Sequence, residues 1–216
     1  MTDNTAPAAD ALAADIVSRV REVLHTPTAF TPLHEPEFEG NEEALVLDCS
    51  RTGWVSSVGK YVDEFEAKVA EACGARFGIA VANGTAALQV ALRLVGVGAG
   101  DEVLMPTLTF IATANAASHL GAVPHFVDSE TGTLGLDPHA LRNHLNRLGE
   151  RRDGVLINRM TGRRLAAIAP MHVFGHPVDL DAPSAVSAEF GLPIVGDAAE
   201  PLGGTAQGRN SGGRGL

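Results

Sequence analysis

The chain has 216 residues, 45% of them hydrophobic, and 26 acidic against 16 basic side chains, for a formal charge of -10. That length and composition suit a globular chain with one sizeable core or a core with an appendage. The negative field disfavours nucleic acid and anionic membrane surfaces as partners. No apolar run approaches membrane-spanning length, and the first thirty residues lack a basic start followed by an apolar core, so neither anchoring nor export is expected. Cys49 and Cys73 are too few and too isolated for a disulfide framework, which makes the cytoplasm the expected compartment.

In chain order, residues 1–30 read as a polar, partly helical leader, with Ile16, Val17, Val20, Val23 and Leu24 at helical spacing before Pro27 and Pro32. Residues 31–75 read as a helical and loop segment, with helices over 41–48 and 60–72 and a loop from Gly53 to Gly59. From 76 to 216 an alternation sets in. Short apolar runs at Ile79–Ala82, Val103–Met105, Val123–Val127, Ala166–Pro170 and Ile194–Val195 are mostly separated by amphipathic stretches over 85–95, 109–120, 137–148 and 181–190. Strand, helix, strand in this rhythm predicts an α/β domain, a mostly parallel sheet with helices on both faces. Ligands of such sheets collect at the carboxyl ends of the strands. Arg151-Arg152 and Arg163-Arg164 flank the turn dipeptide Thr161-Gly162 and read as a solvated hairpin. The Gly-rich stretch from Gly203 to Leu216 holds no strand or helix pattern, and the chain is expected to stop mid-fold.

Four stretches carry candidate chemistry. Asn83-Gly84-Thr85-Ala86-Ala87 turns from a strand into a helix that opens with small residues, where free amides and the helix dipole favour a phosphate; Thr85 as an ordinary cap is the plainer alternative. Gly96-Val97-Gly98-Ala99-Gly100 follows a helix and precedes a strand, the reverse of a dinucleotide fingerprint, and is a helix-stopping connection. Phe110 lies past the Val103–Met105 strand, either as a core side chain or as a ring that stacks on a planar cofactor. Asp197 follows a short β-branched strand; it is either the N-cap of the Ala198-Ala199-Glu200 segment or a carboxylate that keeps a pyridine nitrogen protonated. His172 and His176 are four residues apart, but Gly175 and Pro177 oppose a helix and no third ligand is evident, so no metal site is expected. His172 is either a loop histidine bonded to backbone or a group facing cofactor or substrate.

In order, these segments resemble the DegT/DnrJ/EryC1/StrS sugar aminotransferases, a group of fold-type-I pyridoxal phosphate enzymes. The resemblance runs from about Pro32 to the last residue and rests on Thr52-Gly53-Trp54-Val55-Ser56-Ser57-Val58-Gly59-Lys60, Asn83-Gly84-Thr85-Ala86-Ala87-Leu88, Pro106-Thr107-Leu108-Thr109-Phe110, Pro170-Met171-His172-Val173-Phe174-Gly175-His176-Pro177-Val178-Asp179 and Gly196-Asp197-Ala198-Ala199-Glu200. It implies pyridoxal 5'-phosphate as cofactor, its phosphate on the amides of Thr85 and Ala86 beside Gly84, Phe110 stacked on the ring and Asp197 on the ring nitrogen. Glu200 occupies a position where many members have Gln or His near the ring hydroxyl. Trp54, Ser56, Ser57 and His172 are the implied substrate contacts.

The resemblance further implies a nucleotide-linked keto sugar as substrate, glutamate as amino donor, a homodimer, and amination at C4. With Glu200 and His-Val-Phe-Gly-His-Pro, the chain is most similar to the subgroup acting on UDP- or GDP-linked 4-keto-6-deoxy-N-acetylhexosamines on routes to legionaminic acid. These enzymes hold the cofactor as a Schiff base on a lysine expected shortly after the Gly-rich stretch. The sequence has only Lys60 and Lys68, neither at a matching position, and no small C-terminal domain. An N-terminal portion, inactive alone, is the leading expectation. The alternatives are a sugar dehydratase of the same family, which carries His in place of the lysine, and a non-catalytic remnant.

Overall fold

The structure, a computed structural model, describes residues 6–26, 28, 30–32, 36–206 and 208–210. The chain divides into two compact units, Met1–Val55 and Ser56–Leu216, so that the boundary cuts the 31–75 segment. In the first unit, helix α1 spans Ala6–Val23 and includes Ile16, Val17, Val20 and Val23. Helix α2 spans Glu42–Thr52; Glu42 and Glu43 sit in its first turn, where the helix dipole favours negative charge, and Gly53 closes it at φ 77° in the left-handed region.

The second unit opens with α3 (Lys60–Cys73). The strand expected at Ile79–Ala82 does not form, because no strand among the described residues pairs with it. Its Ala80 N–H instead donates to the Glu66 carboxylate on α3, 2.8 Å away. The segment lies so close to α3 that a Cβ on Gly78 would sit 2.4 Å from the Glu66 carbonyl oxygen.

Helix α4 (Gly84–Leu94) ends at the glycine connection, which leads into strand β1 (Glu102–Pro106). Then come α5 (Ile111–His119), β2 (Val123–Val127) and α6 (Pro138–Leu148). Helix α6 starts where it does because the Asp137 carboxylate accepts from the amides of His139 and Ala140, and Pro138 takes the first helical position, where a missing N–H costs nothing. An antiparallel hairpin of β3 (Gly149–Arg152) and β4 (Val155–Asn158) precedes β5 (Leu165–Ile168). A single 3-10 turn, Val173–Gly175, then leads to α7 (Asp181–Phe190), and two short strands, β6 (Thr205–Ala206) and β7 (Arg209–Asn210), pair antiparallel.

The main sheet is parallel, in the order β2-β1-β5. Strand β1 is buried throughout: Val103 and Met105 join the cluster built with Leu88 and Leu92 of α4 and Ala114, Ala116 and Ala117 of α5, while Leu104 joins the one built with Leu141 and Leu145 of α6 and Val186 of α7. That alternation puts α4 and α5 on one face and α6 and α7 on the other. The Ile194–Val195 strand is reduced to a parallel bridge between Ile168 and Ile194, since Pro193 has no N–H to donate to a longer ladder.

Two expectations need correction. The turn joining β3 and β4 is Asp153-Gly154, both at positive φ (50° and 82°), a hairpin dipeptide passed over in favour of Thr161-Gly162. Thr161-Gly162 forms a second turn that brings Arg164 opposite Ile157. Arg164 is not simply solvated: its Nε donates to Asp101 Oδ1 at 3.0 Å and its Nη2 to Oδ2. Burial opposes ionisation of Asp101, but Arg164 and the Gly98 amide outweigh it and hold the carboxyl below its ordinary range. The stretch from Gly203, in which no strand or helix pattern was expected, carries the two-residue strands β6 and β7, and residues 211–216 lie outside the described residues.

A polar cluster fills the amino end of β1. The buried Glu102 carboxylate (2% exposed) accepts from His125 Nδ1 (2.7 Å), Asn158 Nδ2 (2.8 Å) and Thr161 Oγ1 (2.6 Å). His125 Nε2 meets His144 Nε2 at 2.6 Å, and His144 Nδ1 faces Arg147 Nη2 at 3.1 Å. Arg147 can only donate, which fixes every proton: His144 Nδ1 accepts, its Nε2–H donates to His125, and His125 Nδ1–H donates to Glu102. Burial, then the nearby His125 and Arg147, push the His144 pKa down against the pull of Asp128 and Glu102. Burial raises the Glu102 pKa, and the three donors more than reverse that.

Candidate functional site

The strand order fixes where a ligand belongs. From β1 the chain crosses to β2 on one side and returns to β5 on the other, so the order reverses between β1 and β5. A crevice opens outside the carboxyl ends of strands at such a switch point.

Asp197, Thr113, Met171 and the start of α5 are tied together there. Asp197 follows the Ile194 bridge and pairs with Met171 as a parallel neighbour; its N–H donates to the Pro170 carbonyl (2.8 Å) and its own carbonyl accepts from the His172 N–H (3.2 Å). The backbone thereby fixes the carboxylate, which is 4% exposed. Oδ2 accepts a 2.6 Å hydrogen bond from Thr113 Oγ1 on α5, and Oδ1 accepts a longer one, 3.3 Å, from the Ala199 N–H. Among the described residues no helix follows, so Asp197 is not a helix N-cap for the 198–200 segment. The Sδ atom of Met171 accepts from the Phe110 N–H at 2.8 Å, which ties the start of α5 to the loop after β5.

Phe110 is the N-cap residue of α5 at the end of the β1 loop. Its ring is 57% exposed, so the core reading fails as well. Asn83, not Thr85, caps α4: its Oδ1 accepts from the Ala86 N–H at 2.9 Å. The amides of Gly84 and Thr85 remain, because the first turn of a helix cannot satisfy them internally. A Cβ built on Gly84 meets nothing within 4 Å, so the approach to these amides is open. A phosphate reaches the Ala86 amide only by displacing Asn83. Helix α4 packs on α5, which sets its start in the same layer as the Phe110 loop.

The remaining expected residues are less concentrated. His172 is 2% exposed, and its Nδ1 accepts from the Val178 N–H at 2.9 Å, the backbone-bonded arrangement that stabilises the 172–178 loop. Within that loop Phe174 adopts φ 55°, unfavourable for a residue with a Cβ. Glu200 is exposed, its backbone close to Gly175. Trp54 lies exposed in the first unit, Ser56 and Ser57 exposed in the second. Lys68 pairs with Glu64 (2.6 Å), and Lys60 lies over the Tyr61 ring (4.5 Å), both on α3. Sequence reasoning missed Thr113 and Asn83. A threonine on an otherwise alanine face of α5 was the available signal for the first, and Asn before Gly at a helix start for the second.

This set fits pyridoxal phosphate. A buried carboxylate is the group a ring nitrogen would need, an exposed aromatic ring lies in the loop after β1, and open helix amides suit a dianion. Among the described residues no group of three or more His, Cys, Asp or Glu side chains is placed to hold a metal, and no helix is long and apolar enough to cross a membrane.

Comparison with known proteins agrees. A profile of the DegT/DnrJ/EryC1/StrS aminotransferase family matches residues 36–216. GDP-perosamine synthase of Caulobacter vibrioides is 40% identical over 177 residues, 82% of this chain and 43% of the relative. The crystal structure of 3-amino-5-hydroxybenzoic acid synthase superposes with a TM-score of 0.70 at 33% identity, over 86% of this chain and 44% of the other. A Streptococcus pneumoniae protein assigned as a sugar aminotransferase, solved in pyridoxal phosphate and pyridoxamine phosphate forms, gives 0.69 at 26% identity, over 85% and 46%. The chain thus spans less than half the length of these relatives, and its cofactor is pyridoxal 5'-phosphate. The curated relative bears a GDP-perosamine name, which lends the legionaminic-type subgroup no specific support.

Proposed function

We propose, for a chain that belongs to the DegT/DnrJ/EryC1/StrS aminotransferase family, that it is the cofactor-cradling part of an enzyme that transfers an amino group to the keto group of a nucleotide-linked sugar. The observation that carries this reading is the buried Asp197 carboxylate held at the switch point of a parallel sheet, beside an exposed phenyl ring. When bound, pyridoxal phosphate supplies an electron sink that stabilises a substrate carbanion. The chain's own part is to hold it. Asp197 keeps a proton on the ring nitrogen by its charge, Phe110 stacks on the ring, and the Gly84 and Thr85 amides take the phosphate with help from the dipole of α4. Ala86 joins them once Asn83 has moved aside.

The name of the Caulobacter relative supports a GDP-linked sugar as substrate. Amination at C4, glutamate as donor, a homodimer and a cytoplasmic location follow from the motif resemblance alone. Trp54, Ser56 and Ser57 as substrate contacts and Glu200 near the ring hydroxyl rest on the motif resemblance alone; His172, buried and bonded to the Val178 N–H, supports its own loop. The two lysines of the 216 residues sit on α3, engaged with Glu64 and Tyr61, so this chain by itself binds cofactor without turning it over. The test is to add pyridoxal phosphate to the purified chain, follow its absorbance, reduce with borohydride and weigh the product. Saturable binding without a stoichiometric adduct is expected. Single-site labelling of Lys60 or Lys68 together with turnover refutes the proposal.

A further inference from the structure

We infer that Thr113 is a positioning residue for the cofactor, acting through Asp197: its hydroxyl commits one carboxylate oxygen and leaves the remaining lone pairs aimed at the ring nitrogen. The inference rests on the reading of Asp197 given above. Thr113 is 0% exposed, on a helix face otherwise made of Ala114, Ala116 and Ala117. A buried hydroxyl needs a partner. It has one donor proton, and the 2.6 Å contact to Asp197 Oδ2 takes it. The Asp197 carboxylate can only accept, so the proton of Thr113 is turned toward it; Thr109 Oγ1 lies 3.2 Å from Thr113 Oγ1 and is also within reach of Met171 Sδ and the Phe110 carbonyl, both at 3.4 Å. The relay Thr109, Thr113, Asp197 starts in the same loop as Phe110, whose N–H is fixed by Met171 Sδ. One short stretch of chain therefore orients both the ring that stacks and the charge that meets the nitrogen. Among the described residues the carboxylate's other partner is the Ala199 amide, a longer contact at 3.3 Å that leaves Oδ1 with capacity to spare.

The test compares two probes on the whole 216-residue chain: pyridoxal phosphate and 1-deazapyridoxal phosphate, in which C–H replaces the ring nitrogen. The parent chain is expected to prefer pyridoxal phosphate. Thr113→Val keeps the shape and removes the hydroxyl; it should weaken pyridoxal phosphate by about tenfold, one ordinary hydrogen bond's worth, and leave the deaza probe unchanged. Thr113→Ser restores the preference. Should the valine variant not fold, Thr113→Ala is read in the same way, since it puts no methyl against the carboxylate. Equal loss of both probes, or no loss of either, overturns the inference. Asp197→Asn separates the two layers. If it leaves the preference intact, the reading of Asp197 fails and takes the inference with it; if it abolishes the preference while Thr113→Val does not, the inference alone fails.

Discussion

Replacing Glu102 by Ala is expected to destabilise the second unit. Three donors converge on this one carboxylate, at 2.6–2.8 Å, and all three lose it together. Asn158 is buried and cannot rehydrate; His125 and Thr161 are partly open and recover some water. A stranded buried donor costs about 1–3 kcal/mol, and here three are stranded at once, two of them only in part. Relief from burying the carboxylate itself offsets part of this, so about 3 kcal/mol is the expected loss. With a urea slope of about 1–3 kcal/mol per molar, the unfolding midpoint falls by roughly 1–3 M. Urea titration followed by circular dichroism reads this directly. Glu102→Gln, which keeps one acceptor oxygen, should fall by about half as much. A midpoint for Glu102→Ala within about 0.3 M of the parent would refute the network.

The same cluster sets a pH dependence. The His144 pKa is depressed in the folded chain, so its contribution is present above the ordinary histidine value of about 6.5 and is lost as pH falls through the folded value. Stability should drop on acidification below about pH 6.5, and His144→Gln should flatten that limb of a melting-temperature profile. Gly78→Ala drives a Cβ to 2.4 Å from the Glu66 carbonyl and should cost about 1–3 kcal/mol in a denaturant titration. Phe110→Ala, on an exposed ring, should change stability by less than about 0.5 kcal/mol yet weaken pyridoxal phosphate about two- to tenfold by absorbance titration.

What the sequence made legible was local. Helices α4 to α7 fall within a few residues of their expected spans, since each carries its own periodicity and, in α6, its own cap. Strands fared less evenly. Val103–Met105 and Val123–Val127 form because each finds a partner, and Ile79–Ala82 does not, although its residues are equally apolar. Pairing is a property of two segments, invisible in either alone. The same limit hid the polar clusters: Glu102 is 23 residues from His125 and 56 from Asn158, and Thr113 is 84 from Asp197. No spacing rule connects such distances. Phe110 and Asp197 were singled out by motif order, whereas the capping role weighed for Thr85 belongs to Asn83, whose side-chain carbonyl reaches the Ala86 amide.

The central claim is that Asp197 holds a proton on the cofactor ring nitrogen. Nitrogen NMR of pyridoxal phosphate labelled at that atom, bound to the chain at pH 8, measures it. A pyridinium shift in the parent that reverts to the unprotonated value in Asp197→Asn is the predicted result; the same shift in both would contradict it.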